Sequence, residues 1–184
     1  TPIGGAAGVY VRVLEGGGQT QSWQPYGTEA SVTGTGVAPS LGWYYQTSLD
    51  TTSDGRPLVT WQGWGAGERY VVNQDNNPDT PNLPGNRGNE APIVGVYASV
   101  YDVDDGFTLL PAQADVTATR ASRYVILDGA PARSHAYMPA AYVGPDDELV
   151  MAYTWRDSLT DSGNYDNEIY VQTWDADAAD WVDY

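Results

Sequence analysis

The chain has no cysteine and no lysine, and only one histidine and one phenylalanine in 184 residues. Without cysteine there can be no disulfide framework, thiolate metal site or cysteine nucleophile. The lone histidine, His135, has no serine or cysteine motif beside it, so a nucleophilic triad has no support. Basic charge rests on arginine alone, against 24 acidic residues, and the net charge is −16. Nucleic acid requires a basic surface, so a nucleic-acid partner is disfavoured, as is an anionic membrane surface. No apolar run approaches the roughly 18 residues of a spanning helix, so no membrane span is expected. Amphipathic helical periodicity, a phosphate loop and a dinucleotide fingerprint are missing as well. The chain starts at Thr1 without Met or signal peptide, as expected of a processed mature protein or an excised fragment. The expected location is extracellular or at the cell surface.

What is present points to strands. Seven Trp and 14 Tyr supply large β-favouring side chains, and 21 Gly with 12 Pro supply tight turns. Among the acids Asp far outnumbers Glu. Asp caps turns through its own backbone, ligates Ca²⁺, and keeps a protein soluble in a saline habitat.

The most regular stretch is Glu168 to Tyr184, where the alternating run Ile169–Trp174 meets an Asp/Ala loop and a second run, Trp181–Tyr184. Period-two alternation around a short loop is a hairpin signature. Looser versions lie at Val9–Leu14 with Ser22–Tyr26, and at Val96–Tyr101 with Phe107. The common tyrosines are Tyr10, Tyr97 and Tyr170, spaced by 87 and then 73 residues. A second kind of hairpin sits between them. Ala38–Tyr45 reads as a strand, Asp50–Arg56 as a turn and Pro57–Trp64 as the returning strand. Met138–Val143, the turn Gly144–Asp147 and Glu148–Trp155 repeat it, and aligning Leu58-Val59 with Leu149-Val150 gives an offset of 91. Two stretches interrupt the order. Asn73–Pro92 is a long polar loop, and Ala114–Ser134 holds one strand-like run, Tyr124–Leu127.

This order implies one all-β repeat domain over 1–184, built of repeated antiparallel hairpins. It divides into a half unit at 9–27, a unit at 36–112 interrupted by 73–92, and a unit at 113–184. Pro39–Trp43, Asp54–Trp61 and Glu168–Trp181 resemble the repeats of sialidase-like bacterial β-propellers. Asp104-Asp105-Gly106-Phe107 and Asp177–Trp181 stand where those proteins carry an Asp-box, in degenerate form. The resemblance implies about two and a half propeller-like blades. Closure needs about four or more, so the expectation is an open array completed by a partner strand or a like chain. A β-sandwich is the alternative architecture.

Three sets of residues could carry chemistry. Asp102, Asp104 and Asp105 share one hairpin loop, Asp175, Asp177 and Asp180 the equivalent loop, and Asp75 and Asp79 the long insertion. Oxygen-rich loops suit Ca²⁺, though none has the twelve-residue EF-hand spacing, and the competing reading is solvated turn residues. Trp43, Tyr45, Trp61 and Trp64 alternate along paired strands and could stack on sugar rings; the competing reading is a core built from aromatics. No arginine lies in the Arg-Ile-Pro motif of sialidases, so no catalytic residue is assigned. The expected function is a non-catalytic structural or adhesive module, forming homo-oligomers or polymers through open strand edges or binding glycans. The alternative is a fragment of a propeller-type glycoside hydrolase or lyase.

Overall fold

The computed structural model describes residues 9–17, 20–27, 44–71, 90–110, 125–127, 130–132, 134–157 and 167–184. Over these the chain is all-β with antiparallel pairing throughout, and none of them lies in an α-helix. Strands β1 (Arg12–Glu15) and β2 (Ser22–Pro25) form a hairpin. Strands β3 (Tyr44–Thr51), β4 (Pro57–Val71), β5 (Glu90–Asp102) and β6 (Gly106–Leu109) form one four-stranded meander. Strands β7 (Val125–Leu127) and β8 (Ala130–Ala132) pair separately, in the stretch where one strand-like run is expected. Strands β9 (Ser134–Val143), β10 (Leu149–Asp157), β11 (Asn167–Asp175) and β12 (Asp180–Asp183) form a second meander with the order of the first. None of these sheets closes on itself.

The two meanders are the same unit down to their irregularities. Gln46 and Met138 both adopt the left-handed region, at φ 44° and 53°, where an extra residue kinks the first strand. The first turns match bond for bond. Gly55 N donates to Thr52 O at 2.8 Å, and Asp147 N to Gly144 O at 3.0 Å. Thr52 N donates to Arg56 O at 2.9 Å, and Gly144 N to Glu148 O at 2.8 Å. Trp61 stacks on its cross-strand partner Tyr97 at 5.8 Å, and Tyr153 on Tyr170 at 6.0 Å. Tyr101 meets Phe107 edge-on at 5.2 Å, and Trp174 meets Trp181 likewise at 5.6 Å.

These matches correct the offset of the first hairpin. Leu58-Val59 and Leu149-Val150 suggest 91 residues, yet Thr52 pairs with Gly144 and Gln46 with Met138, which is 92. A one-residue slip turns every side chain to the other face of a sheet. The equivalent of Trp61 is therefore Tyr153, and the equivalent of Leu58 is Val150. The strand expected to end at Tyr45 runs on as β3 to Thr51, into the stretch expected as a turn; residues 38–43 lie outside the described part.

The β1–β2 hairpin is a third copy of the β5–β6 and β11–β12 pairs. Tyr26 N donates to Val11 O, Leu110 N to Ala98 O, and Tyr184 N to Val171 O, each at 3.0 Å. The tyrosine spacings of 87 and 73 give the same equivalence, since Val11, Ala98 and Val171 stand one residue after Tyr10, Tyr97 and Tyr170.

The units stack face to face. Val9 and Val11, just ahead of β1, pack on Val59, Trp61, Tyr97 and Phe107, with Tyr26 against Tyr101. On the other face of the same sheet, Leu58, Val96, Ala98 and Leu110 pack on Ala136, Met151, Tyr153, Trp155 and Trp181 of the second meander. Alternation divides each strand between the two interfaces, so Leu58 and Val59 serve different cores. Each such buried aliphatic or aromatic side chain contributes about 1.5–3 kcal/mol relative to exposure. Gly27 marks how closely the hairpin approaches. It sits at φ 69°, and a Cβ there would fall 2.7 Å from Tyr101 Cε2.

Candidate functional site

Of the aromatic row expected to stack on sugars, Trp61 belongs to the core. It is 1% exposed and its ring is covered by Tyr97 and the hairpin valines. A core poor in Leu and Phe has recruited it, as the competing reading holds. Trp43 lies outside the described residues, as do the side chains of Tyr45 and Trp64, although β3 and β4 carry their backbone.

The two Asp loops are built alike. Asp102 Oδ1 accepts the amides of Asp104 at 2.8 Å and Asp105 at 3.2 Å. Asp175 Oδ1 accepts those of Asp177 at 2.9 Å and Ala178 at 3.0 Å. Each first aspartate thus caps its own turn. The two amides at Asp102, with Arg56 as a smaller influence, hold its carboxyl below the usual carboxylate range. Asp180 instead accepts its neighbour's amide, Trp181 N, at 2.8 Å. Among the described residues no three acidic or histidine side chains converge on a common point. Asp75 and Asp79 lie outside them.

A third carboxylate set lies in the first turn. Asp54 accepts from Thr52 Oγ1 and from Arg56 Nε at 2.8 Å, and its carboxyl is lowered first by the threonine and then by the arginine. Of the eight arginines only Arg12 and Arg56 have described side chains; Arg12 is exposed on β1, and Arg56 is half-buried in the first turn, paired with Asp54. The side chain of His135 also lies outside the described part.

Where the two meanders meet, an open cleft of about 600 Å³ is lined by Gln46, Gln62, Tyr137, Met138, Thr154 and Asn167. Both left-handed bulge residues border it. The seam beside it is polar. Gln62 Oε1 accepts Met138 N at 3.1 Å, Ser48 Oγ accepts Ala141 N at 3.0 Å, and Asp50 Oδ2 accepts Val143 N at 2.8 Å. Ser53 donates through N and Oγ to the Asp147 carboxylate at 2.7 and 2.8 Å. Strand β9 is an edge of its sheet, so Ser48 and Asp50 cap amides that would otherwise be open to a foreign strand.

Sequence reasoning did not single out the two outer faces of the stack. The β11–β12 face equivalent to the covered Val96, Ala98 and Leu110 consists of Ile169, Val171 and Tyr184, exposed by 72, 39 and 80%. At the opposite end the hairpin presents Tyr10, Leu14 and Trp23, with Trp23 exposed by 61%. The alternation is visible in the sequence, but which repeat leaves its face exposed is not a sequence property. No family model matches the chain, and neither a curated protein nor a solved structure matches it. Among the described residues no helix is long and apolar enough to cross a membrane.

Proposed function

We propose that this chain is a non-catalytic structural or adhesive β-repeat module, acting outside the cell and assembling with further units of its own kind. The observation that carries this reading is the repeated unit-on-unit interface, whose covering face recurs a third time with no cover among the described residues. Valine, leucine and aromatic side chains of one unit fill the aromatic face of the next, and the same residue positions recur at the outer end. A face this apolar on an otherwise acidic chain is what an association surface requires. In this reading the units are blades of the propeller type, and the array is open.

Two finer elements belong to the same proposal. Ca²⁺ would bind through carboxylate oxygens of the Asp loops, adding rigidity to hairpin tips; millimolar Ca²⁺ then raises the melting temperature and EDTA reverses it. A glycan would lie in the cleft, where three amide side chains, Thr154 and Tyr137 offer the mixture of hydrogen bonds and ring surface that sugars use. The central test is sedimentation velocity over a concentration series at raised salt. Oligomers that grow with concentration support the module. A monomer at every concentration and salt contradicts it.

A further inference from the structure

We propose that the two outer faces are the two halves of one interface, and that copies of this chain join head to tail through them. The hairpin face of one copy, Tyr10, Leu14 and Trp23, docks on the Ile169, Val171 and Tyr184 face of another. This deepens the self-assembly reading above and rests on it.

Residue equivalence supplies the pairing. In each internal interface a covering set of the Val9, Val11, Tyr26 type meets a receiving set of the Tyr97, Tyr101, Phe107 type. Ile169, Val171 and Tyr184 are the third covering set, as their shared backbone hydrogen bond marks. Tyr10, Leu14 and Trp23 are the remaining receiving set, since Leu14 pairs with Trp23 as Tyr101 pairs with Phe107 and Trp174 with Trp181. The first meander lies between the hairpin and the second meander, with one of them on each of its faces, so these two sets cannot meet within one molecule. A second copy brings them together. Specific contacts follow from the internal ones. Trp181 Nε1 donates to Leu110 O at 2.9 Å, and the equivalent donor and acceptor between copies are Trp23 Nε1 and Tyr184 O. The Tyr26–Tyr101 contact, at 4.8 Å between ring centres, becomes Tyr184 against Leu14.

The seam residues select the hairpin over a complete meander as the occupant. Ser48, Asp50, Ser53 and Gln62 bond to the β9 strand and its turn. Their equivalents 92 residues on are Ala140, Tyr142, Pro145 and Thr154. Ala140 and Pro145 have no side-chain donor or acceptor, and Pro145 has no amide hydrogen. A complete meander would bring an inner edge strand needing those caps; a β1–β2 hairpin brings none. The contact joins unlike faces, so it is heterologous and propagates unless it closes into a ring. The charge of −16 opposes it, and salt screens that repulsion.

The test uses two variants of the full chain, I169D/V171D and L14D/W23D, each altered on one exposed face. Circular dichroism confirms the fold of each, and I169T/V171T and L14Q/W23Q replace any that does not fold. Alone, each variant should associate about tenfold or more weakly than the parent, since a charge is placed in an apolar contact. Mixed in equal amounts, they retain one intact pair of faces and should form a 1:1 dimer that grows no further. If the parent assembles but the mixture stays monomeric, or if either variant assembles as the parent does, the head-to-tail pairing is wrong and self-assembly stands. If the parent is monomeric throughout, both are wrong.

Discussion

Ala98 and Val171 occupy the same place in two copies of one unit, yet one is wholly buried and the other is 39% exposed. Their strands, registers and backbone hydrogen bonds agree. The difference lies in what stands opposite: the second meander covers Ala98, and no described residue of the chain covers Val171 to that degree. Burial is thus a property of the stack rather than of the repeat. The repeat encodes two faces, and the sequence order decides which of them meet.

Substituting the same residue at both places breaks the comparison most sharply. Ala98→Asp should cost about 4 kcal/mol or more, because it buries an unpaired charge in the core between the meanders. Val171→Asp should leave the unfolding free energy of the monomer within about 0.5 kcal/mol. Denaturant unfolding at low concentration checks both, and equal losses would mean that the two faces are equally covered.

Gly27 and Gly55 give the next contrast. Both have positive φ, 69° and 86°, but a Cβ at Gly27 would strike the Tyr101 ring whereas one at Gly55 meets open space. Gly27→Ala should cost about 1–3 kcal/mol from strain and displacement of the hairpin, and Gly55→Ala about 1 kcal/mol from backbone strain alone. Thermal melts of the two variants test whether hairpin docking is as close as this.

A smaller effect separates the two stacked aromatic pairs. Tyr153 OH donates to buried Gln172 Oε1 at 2.9 Å, while Trp61 at the equivalent position has no hydroxyl to offer, and Ser99 turns to Thr108 O at 3.0 Å. Tyr153→Phe should cost about 1–2 kcal/mol by leaving the Gln172 acceptor short. Tyr153→Phe with Gln172→Leu should recover part of that loss, and no recovery would dissociate the pair energetically.

The smallest effect is on acid stability. Asp102 and Asp54 both have carboxyls lowered in the folded chain, the first by loop amides and the second by Thr52 and then Arg56. A lowered folded value favours folding above the ordinary carboxylate value, and that contribution is lost as pH falls through the lowered value. Asp102→Asn and Asp54→Asn should therefore flatten the acid limb of the stability curve without changing its shape above pH 6, as melts across pH 2–7 would show.

Much of the architecture was legible. The Tyr10, Tyr97 and Tyr170 spacing located three equivalent strands, because alternation about a tyrosine survives insertions elsewhere. In the first hairpin pair the shared Leu-Val letters point one residue away from the true alignment, which the turn geometry sets. Thr52 and Gly144 look unrelated, yet they close the same turn through main-chain atoms that any residue carries. Trp61 could not be assigned to core or surface from alternation alone, since both faces of its sheet are covered. The two Asp loops are equivalent by sequence despite differing in length, and the carboxylate caps show what Asp102 and Asp175 have in common there. The open faces were illegible for a physical reason: exposure depends on the neighbour, and the neighbour is set by stacking order.

The absence of cysteine permits one direct measurement of the claim that the internal and external faces are the same interface. Cysteines placed at Leu14 and Tyr184 stand in the relation that Tyr101 and Tyr26 hold within the molecule. With a short bis-maleimide, the Tyr26/Tyr101 cysteine pair should link within one chain. The Leu14/Tyr184 pair should link between chains and give a ladder of covalent multimers on a denaturing gel. Monomer alone from the Leu14/Tyr184 chain, or covalent dimer from chains carrying only one of those cysteines in yield equal to its multimers, would contradict it.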